Sequence, residues 1–285
     1  MQSPRYLLTC ALNAFSRDRF LCPSCEGPAA ATVDRKWLVT SLKRCRDCGL
    51  LFRVPTTSAA ENERIYQSDY QEGFTTELPS DQQLNELLQR GFAGHEKDYA
   101  PYLAVLRALG VPAGARLFDF GCSWGYGSHQ LGRAGYAVDA CEISQPRAAY
   151  ARKKLGVSLR DPAALPPAHY DVFFSAHVIE HVPSVREMIS LGLRLLRPGG
   201  LFVAFTPNQS EARRSRVPAQ WRRQWGFVHP QLLDTIFLSK LPYAAILGAS
   251  TPYDLGKITA WDGGRRVLGE MAGDELLLVV RKGAA

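Results

Sequence analysis

The sequence predicts an α/β fold in which a doubly wound, mostly parallel sheet follows a small cysteine-rich module. From residue 115 onward, apolar runs of strand length alternate with helical patterns, which is typical of a parallel sheet covered by helices on both faces. The apolar run 117–120 leads into a loop with three glycines. This arrangement is typical of a buried strand that is followed by a helix beside a nucleotide-sized ligand. Near the amino terminus, two Cys-x-x-Cys pairs are separated by nineteen residues.

Length and composition are those of an ordinary globular protein. The 285 residues suffice for one full α/β domain and a small extra module, and 46% of them are hydrophobic. No apolar run reaches the roughly 18 residues of a membrane span, so we expect no membrane partner and a cytoplasmic location. The apolar segment 6–15 lacks a cleavage site and is followed at once by Arg17 and Arg19, which favours a short helix over a targeting segment.

The net charge of +7 leaves nucleic acid open as a partner but does not require it. Part of the excess lies in one short stretch, with two tryptophans interleaved. Its arginines are Arg213, Arg214, Arg216, Arg222 and Arg223. The stretch is either a solvated loop or a clamp for an anionic substrate such as a phosphate or a carboxylate.

The cysteine pairs have the spacing of a four-thiolate zinc ribbon. The four predicted ligands are Cys22, Cys25, Cys45 and Cys48. Disulfides and redox-active pairs are the alternatives, but two paired motifs and an odd total of seven cysteines argue against both. Four ligands complete a tetrahedron, so the zinc is expected to be structural. The strand-like pieces of this ribbon are expected at 37–39 and 50–54.

We expect three parts in the chain. Residues 1–60 hold the N-terminal segment and the ribbon, 61–110 form a linker with lid helices, and 111–285 form the cofactor-binding domain. A helical pattern over 81–109 is broken at its glycines. Strands are predicted at 115–120, 137–142, 157–159, 170–175, 200–206 and 275–281. Helices are predicted at 125–134, 145–155, 184–196 and 229–240. The long stretch 207–228 matches no regular pattern, and loops of this length are often functional.

The loop after the first strand of this domain has the chemistry of a cofactor site. Asp119 lies near the end of the strand, and the absence of side chains at Gly121 and Gly125 allows the backbone to approach a ligand closely. Glu142 ends the next strand, where a carboxylate can accept hydrogen bonds from ribose hydroxyls. The glycine spacing differs from the dinucleotide fingerprint, which argues against a nicotinamide-dependent oxidoreductase.

This loop and the segment 170–182 together resemble the class I methyltransferases, Rossmann-like enzymes that use S-adenosylmethionine (SAM). The resemblance covers residues 115–285. Bacterial methyltransferases with an N-terminal zinc ribbon resemble the chain over residues 20–55 as well. The resemblance implies that the glycine loop holds the amino acid half of SAM. The implied cofactor-binding residues of the loop and the strand ends are Asp119, Gly121, Cys122, Gly125 and Glu142.

The same resemblance implies further cofactor contacts. Ile143 is expected against the adenine ring, and Asp161 follows the short third strand, where related enzymes often place an acid near the adenine amino group. Tyr66 and Tyr70 are spaced i, i+4, and the resemblance suggests that they close over SAM. The alternative for this tyrosine pair is an aromatic contact that holds the linker helix to the core.

The segment after the fourth strand contains His177, Glu180 and His181, which share one face if the chain forms a helical turn there. Many similar small-molecule methyltransferases have a Leu-Glu-His turn here. A subset with Glu-x-x-Glu-His binds a divalent metal, and this chain has His177 in place of the first glutamate. Three roles stay open: His181 as a general base, the trio as a metal site, or helix packing. His229, at the start of a predicted helix, resembles a family element that faces the substrate pocket.

The sequence therefore predicts a SAM-dependent methyltransferase that acts on a small-molecule biosynthetic intermediate, of a sugar, nucleotide-linked or natural-product type. Transfer to oxygen, nitrogen or carbon stays open. One alternative is an RNA methyltransferase that uses the ribbon to recognise RNA, and another is a non-catalytic scaffold that keeps the SAM fold. No base-methylation tetrad of the Asn/Asp-Pro-Pro-Tyr type follows the fourth strand, so a small molecule is favoured over RNA.

Overall fold

The computed structural model describes residues 4–64, 67, 77–269 and 271–283. Its strands are β1 (Ala30–Lys36), β2 (Thr40–Cys45), β3 (Leu51–Val54), β4 (Arg116–Phe120), β5 (Ala137–Cys141), β6 (Ser158–Leu159), β7 (Tyr170–Ala176), β8 (Leu196–Pro207), β9 (Gln231–Leu232), β10 (Ile246–Ser250), β11 (Val267–Leu268) and β12 (Glu275–Arg281). Its helices are α1 (Pro4–Asn13), α2 (Ala59–Arg64), α3 (Asp81–Gln89), α4 (Ala100–Ala108), α5 (Tyr126–Arg133), α6 (Gln145–Leu155), α7 (Val185–Leu195), α8 (Glu211–Arg216), α9 (Pro218–Gln224), α10 (Thr235–Lys240) and α11 (Leu255–Thr259).

Eight strands form the central sheet, in the order β11-β10-β12-β8-β7-β4-β5-β6. The five neighbouring strands β8, β7, β4, β5 and β6 run parallel to one another, while β12 runs antiparallel between β8 and β10. This mostly parallel, doubly wound sheet confirms the predicted fold class. Because β12 is reversed, its first residue, Glu275, lies at the sheet edge where the parallel strands have their carboxyl ends.

The two faces of the sheet are both buried, and the alternation of side chains in β7 shows how. Val172 and Phe174 belong to the same core cluster as Leu106 of α4 and Leu131 of α5. Phe173, between them, belongs to the opposite cluster, which contains the buried residues of α7. Strands covered on both faces in this way are apolar at most positions, which is why the apolar run 172–174 predicted β7.

The N-terminal module is a second, antiparallel sheet in the order β1-β2-β3-β9. Its last strand, β9, comes from the C-terminal half of the chain and pairs Leu232 with Leu51 and Gln231 with Phe52. The backbone N–H of Arg53 also donates to the carbonyl of Pro230 at 2.8 Å. The ribbon sheet therefore extends beyond residues 1–60 and shares a strand with the rest of the protein.

The strand predicted at 37–39 is wrong. Trp37 and Leu38 form the turn between β1 and β2, with φ angles of +57° and +59°, and both side chains are exposed. The apolar character of these residues suggested a strand, but they lie at a hairpin tip, where such φ angles match the twist of the flanking strands.

The helix predicted at 229–240 is wrong over its first residues. Pro230 and β9 are extended because they pair with β3, and α10 begins at Thr235. The carboxylate of Asp234 accepts a hydrogen bond from the backbone N–H of Phe237 at 3.0 Å and caps this helix. Pairing with a distant strand has overridden the local helical pattern.

The unassigned stretch 207–228 contains α8 and α9, and its arginines hold it to the protein. Arg213 is buried and, with Arg216, pairs with Asp274 at 3.0 and 2.8 Å. Arg222 pairs with Asp34 of the ribbon at 3.0 Å. Arg214 pairs with Glu211 at 3.5 Å. Four of the five arginines are thus used in internal ion pairs, which argues against the anion clamp that the sequence left open.

The helical pattern over 81–109 is divided into α3 and α4, as its glycines predicted. None of the helices in the described part of the chain combines the length and the apolar character needed to cross a bilayer.

Close packing of α7 on the sheet leads to a first prediction. A Cβ added at Gly192 would lie 2.5 Å from Cδ2 of Phe202 and 3.0 Å from Cγ of Phe173. We expect Gly192→Ala to lower the free energy of unfolding by about 1–3 kcal/mol through overpacking. Urea denaturation measures this change.

The matched control is Gly132→Ala in α5, where a Cβ would meet no described heavy atom within 4 Å. This change should raise the stability by up to about 1 kcal/mol, because alanine favours the helix. Equal effects of the two substitutions would contradict the packing of α7 described above.

Candidate functional site

A cavity of about 660 Å³ lies at the edge where the parallel strands have their carboxyl ends. Its wall brings together segments that are far apart in sequence. The lining includes Gly121, Ser123, Glu142, Ile143, His177, Glu180, His181 and His229. The volume lies within the usual range for small-molecule and cofactor sites.

The glycine loop forms one side of this cavity. Gly121 has a φ of +83°, and a Cβ there would lie 2.6 Å from the side chain of Val178, so glycine is required at this position. The N–H groups of Gly121 and Cys122 both donate to the carbonyl of Cys141, which fastens the loop to the end of β5. Cys122 is buried, and Gly125, with a φ of +90°, is the N-cap residue of α5. Both therefore shape the loop from behind the cavity wall.

Glu142 connects the loop to the end of β5. Its carboxylate accepts hydrogen bonds from the backbone N–H groups of Ser123 and Ser144, both at 2.8 Å. Each oxygen retains capacity for a second hydrogen bond, because a carboxylate oxygen has two lone pairs. Burial raises the pKa of this carboxyl, against the opposing effect of its backbone donors. Ile143 beside it is 41% exposed and lines the cavity.

Asp119 and Asp161 have different surroundings from Glu142. Asp119 is fully buried and accepts a hydrogen bond from the Ser128 hydroxyl at 2.6 Å. Burial raises the pKa of Asp119 to about 7. Asp161 is exposed and accepts from the backbone N–H of Ala163 in its own turn, while its neighbour Pro162 lines the cavity.

The aromatic residues of the cavity were missed by the sequence reasoning. Tyr66 and Tyr70 lie outside the described residues, so their predicted role stays a prediction. The tyrosines that line the cavity are Tyr99, Tyr102 and Tyr126. Tyr99 makes edge contacts with both of the others, at ring-centroid distances of 5.0 and 5.6 Å. No pattern in the sequence links Tyr126 to the two residues near the start of α4.

The other end of the cavity is polar and centres on Glu180. The segment after β7 is a turn rather than a helix, and His177 has a φ of +55°. Even so, Nδ1 of His177 and Nε2 of His181 lie 3.7 and 3.8 Å from the same oxygen, Oε1 of Glu180. Its other oxygen accepts from the Thr206 hydroxyl at 2.9 Å. Burial would raise the pKa of Glu180, but the neighbouring histidines outweigh it and lower the pKa to about 2.

His177 belongs to a second carboxylate, Glu275, which the sequence reasoning did not identify as a site residue. The two side chains are 2.6 Å apart, and Glu275 also accepts hydrogen bonds from the hydroxyls of Tyr102 and Tyr253 at 2.8 and 2.6 Å. Partial burial opposes the charge of His177, but the carboxylates of Glu180 and Glu275 outweigh it and raise its pKa to about 10. His177 is therefore an imidazolium at neutral pH.

His181 and His229 form a pair of neutral imidazoles. Their ring centroids are 4.5 Å apart. Nδ1 of His181 donates to the carbonyl of Val228 at 2.7 Å, and Nδ1 of His229 donates to that of Gln224 at 2.6 Å. Burial, and then each other's proximity, lower the pKa of His181 to about 3, and burial also lowers that of His229. Since a carbonyl accepts only, the lone pair of each neutral ring is on Nε2.

Four cysteine sulfurs converge in the N-terminal module. The Sγ atoms of Cys22 and Cys48 are 3.5 Å apart, those of Cys25 and Cys45 are 3.4 Å apart, and all four lie within 4.8 Å of one another. Disulfide-bonded sulfurs would be about 2.05 Å apart. The corners of a tetrahedron with Zn–S bonds of about 2.3 Å are about 3.8 Å apart. The separation fits a four-thiolate metal site.

Most of the residues that line the cavity lie within a segment that matches a known family. Residues 118–204 match a family model described as a methyltransferase domain. The matched segment runs from β4 into β8 and includes the glycine loop, Glu142 and the turn at 177–181. Over this segment the match agrees with the predicted enzyme class.

Known methyltransferases are similar to parts of the chain. It is 32% identical over 102 residues to a probable S-adenosylmethionine-dependent methyltransferase of Mycolicibacterium smegmatis. This alignment covers 34% of this chain and 40% of that protein. It is 33% identical over 110 residues to a ubiquinone biosynthesis O-methyltransferase of Xanthomonas euvesicatoria pv. vesicatoria. This alignment covers 35% of this chain and 46% of that protein. The chain thus spans less than half the length of these relatives.

Among solved structures, a possible histamine N-methyltransferase from Thermotoga maritima matches 70% of this chain and 96% of its own. The TM-score is 0.48 and the sequence identity is 17%.

The charge on His177 makes stability depend on pH. Its folded-state pKa lies above the ordinary value of about 6.5, so its contribution is fully present below that pH and is lost as the pH rises through about 10. We expect the melting temperature of the wild type to fall more between about pH 7 and pH 10 than that of His177→Asn. Asparagine suits the test because it tolerates a positive φ.

Thermal denaturation across this pH range measures the difference. His95→Asn, at an exposed histidine, should keep the wild-type slope. Parallel slopes for the wild type and His177→Asn would show that the ion pair with Glu275 does not contribute.

Proposed function

We propose that the chain is an active SAM-dependent methyltransferase whose acceptor is a small molecule. The observation that carries this proposal is the cavity, which joins the strand-end carboxylate of Glu142 to a polar chamber around Glu180. One end thus has the donors and acceptors suited to a nucleoside, and the other has groups that can receive a proton.

The residues of the cofactor end fit SAM. Glu142 would accept hydrogen bonds from the ribose hydroxyls, Ile143 would contact the adenine, and the loop at Gly121 would pass beside the amino acid half. When bound, SAM supplies a methyl group from its sulfonium. The chain's own residues orient the acceptor in line with that group and exclude water. A hydroxyl acceptor would lose its proton near Nε2 of His181 and His229.

The charges of the cavity favour a small, uncharged acceptor over RNA. Three glutamates line it, Glu96, Glu142 and Glu180, and Arg147 is the one arginine among the described lining residues. A groove for an RNA backbone would instead carry lysine and arginine side chains along its length. An anionic small molecule is also disfavoured, because the imidazolium of His177 is already paired with Glu275.

A binding measurement tests the cofactor end. We expect Glu142→Gln to weaken SAM binding at least about tenfold, since a hydrogen bond to a charged group contributes about 1.5 kcal/mol or more. Isothermal titration calorimetry measures the affinity. Glu187→Gln, at an exposed carboxylate on α7, should bind as the wild type does. Equal affinity in Glu142→Gln would rule out the proposed ribose contact.

A turnover experiment tests the acceptor class. The protein is incubated with methyl-labelled SAM and cell extract, and the products are separated by ultrafiltration and nuclease treatment. New label in small molecules supports the proposal. Label that is retained and then released by ribonuclease would show that RNA is the acceptor, and no transfer to either fraction would favour the scaffold alternative.

We also propose that the cysteine module holds a structural zinc ion and that its role is to support the acceptor end of the cavity. The first cysteine pair contacts the start of α7, where the Ser184 hydroxyl donates to the carbonyl of Pro23 at 2.8 Å. The second pair contacts α10, where Nζ of Lys240 donates to the carbonyls of Arg46 and Asp47 at 2.8 and 3.0 Å. Both cysteine pairs are therefore fixed to helices that follow cavity-lining residues, because α7 begins two residues after Pro183 and α10 begins six residues after His229.

The shared strand β9 extends this support to the cavity wall. Gln231 follows His229 by two residues and pairs with Phe52 of the ribbon. Its side chain accepts a hydrogen bond from the N–H of Val185 at 3.2 Å and donates to the carbonyl of Val182. A disturbance of the ribbon would reach both His229 and the turn that carries His181.

Removal of one ligand tests this role. We expect Cys48→Ser to lose the thiolate-to-metal absorption of the cobalt-substituted protein and to accelerate hydrogen exchange at 180–185 and 228–233. Exchange at 117–142 should change less, because the cofactor end has no contact of this kind with the ribbon. Cys10→Ser, at a buried cysteine outside the cluster, serves as the control. Retained metal, or uniform acceleration of exchange, would contradict the proposal.

A further inference from the structure

The large apolar residues that are most exposed all lie near the start of the chain. These are Leu8, Leu12, Phe15, Trp37 and Leu38, which are 62%, 63%, 90%, 59% and 105% exposed. No other large apolar residue in the described part of the chain is more than 44% exposed. A concentration of this kind usually marks a place where a protein contacts another surface.

Three of these residues form one face of α1 and of the turn that follows it. Leu8 and Leu12 are spaced i, i+4, and Phe15 follows three residues later, so the three side chains lie on the same side. The opposite side of α1 packs on β3, where Nη1 of Arg53 donates to Sγ of Cys10 at 3.5 Å. The apolar face of α1 is therefore directed away from the ribbon.

The other two residues form the tip of the hairpin between β1 and β2. Trp37 and Leu38 both have positive φ angles, which asparagine and glycine adopt at the least cost. Neither residue is buried in return. Folding of the ribbon gives no reason for two large apolar residues at this tip, whereas contact with an external apolar phase does.

The two apolar parts are connected at the outer face of the ribbon, the face that is turned away from the central sheet. Phe52 of β3 packs into a core cluster of the central sheet, so Leu51 and Arg53, its neighbours in the strand, are directed to the opposite face. α1 covers this outer face at Arg53, and α9 covers it through Trp225. Nζ of Lys36, at the base of the hairpin, lies 4.3 Å from the centre of the Trp225 ring. The outer face thus joins α1, α9 and the hairpin.

The excess of positive charge lies in the segments that build the ribbon and cover its outer face. Residues 1–60 contain nine lysines and arginines and four acidic residues, and 211–225 contain five arginines and one glutamate. In the rest of the chain the acidic side chains slightly outnumber the basic ones. Arg17, Arg35 and Arg223 are exposed, and none of them forms an ion pair with a described carboxylate. These three charges are available to an anionic surface.

We propose that the exposed face of α1 and the hairpin tip at Trp37 and Leu38 attach the protein to the surface of a lipid bilayer that contains anionic lipids. Tryptophan is enriched at the boundary between headgroups and acyl chains, and leucine and phenylalanine side chains insert beside it. Basic side chains next to such an apolar surface are attracted by anionic headgroups. The sequence predicted no membrane partner because it contains no span, but attachment to a bilayer surface requires none.

The leucines favour a bilayer over RNA as the partner of this surface. Nucleic acid bases stack on aromatic rings and on arginine, whereas Leu8, Leu12 and Leu38 offer no ring. Acyl chains are contacted by aliphatic and aromatic side chains alike. The attachment does not depend on the proposed function, since none of these leucines is among the described residues that line the cavity.

Sedimentation of the full chain with lipid vesicles tests this attachment. We expect the protein to bind vesicles of phosphatidylcholine mixed with phosphatidylglycerol. Binding to vesicles of pure phosphatidylcholine should be at least about tenfold weaker, because each basic residue near an anionic surface contributes roughly a factor of five. Added salt should weaken the binding to the mixed vesicles, since it screens these charges.

A tip variant that combines Trp37→Asn with Leu38→Gly separates attachment from folding. Asparagine followed by glycine is the preferred pair for two positive φ angles, so the melting temperature should be unchanged or higher. Binding to the mixed vesicles should fall at least about tenfold, because two apolar side chains no longer leave water. Leu12→Ser should weaken the binding as well. The control is Leu255→Ser, at an exposed leucine at the start of α11, which should bind as the wild type does.

Three outcomes would overturn the attachment. The first is an absence of vesicle binding by the wild type, or wild-type binding by the tip variant. The second is RNA binding that the tip variant loses, without any vesicle binding, which would identify a nucleic acid surface instead. The third is a dimer in sedimentation velocity that the tip variant dissociates, again without vesicle binding, which would identify a contact between two copies of the chain.

Discussion

Four carboxylates lie at one edge of the central sheet. The structure around the cavity depends on the hydrogen bonds and opposite charges that stabilise each of them. Asp119 has the Ser128 hydroxyl, and Glu142 has two backbone N–H groups. Glu180 has Thr206 and the histidines around it, while Glu275 has two tyrosine hydroxyls and an imidazolium. Each partner lies on a different element from its carboxylate or in the adjacent loop. The cost of leaving such groups unpaired thereby fixes the loops at this edge in position.

The two ends of the cavity are built in different ways. The proposed cofactor end comes from one continuous stretch, in which β4, the glycine loop and β5 follow one another along the chain. The proposed acceptor end combines the turn after β7 with the segment before β9, and it is fastened to the ribbon through β9. The start of β12 joins this end through the contact of Glu275 with His177. A continuous stretch suits a part that binds an invariant ligand. An end assembled from separate segments can be altered in one segment without disturbing the others.

This difference also decides how much could be predicted from the sequence. Six of the eight strands of the central sheet, the cysteine cluster and the candidates Asp119 and Glu142 follow from local patterns, because an apolar run and the residue that ends it are adjacent in the chain. The strands β10 and β11 were not predicted. Glu275 and Tyr102 could not be found in this way, since their place depends on the reversal of β12 and on the packing of α4. The wrong predictions at 37–39 and 229–240 have the same origin, since local patterns do not show distant contacts. The apolar residues Trp37 and Leu38 lie at a hairpin tip where both side chains are exposed, and the helical pattern from residue 229 was overridden by pairing with β3.

The interior position of β12 has a consequence for how the protein is made. β8 and β10 both precede β12 in the chain, yet β12 lies between them in the sheet. A ribosome adding roughly 5–20 residues per second needs about 3–14 s to pass from Pro207 to Glu275. During that time the apolar edge of β8 has no neighbour on one side, and unpaired edges are templates for wrong association. A nascent chain of this protein therefore passes through a stage in which this edge is open to wrong association, and the contacts of Glu275 with His177 and Tyr102 form only when that stage is over.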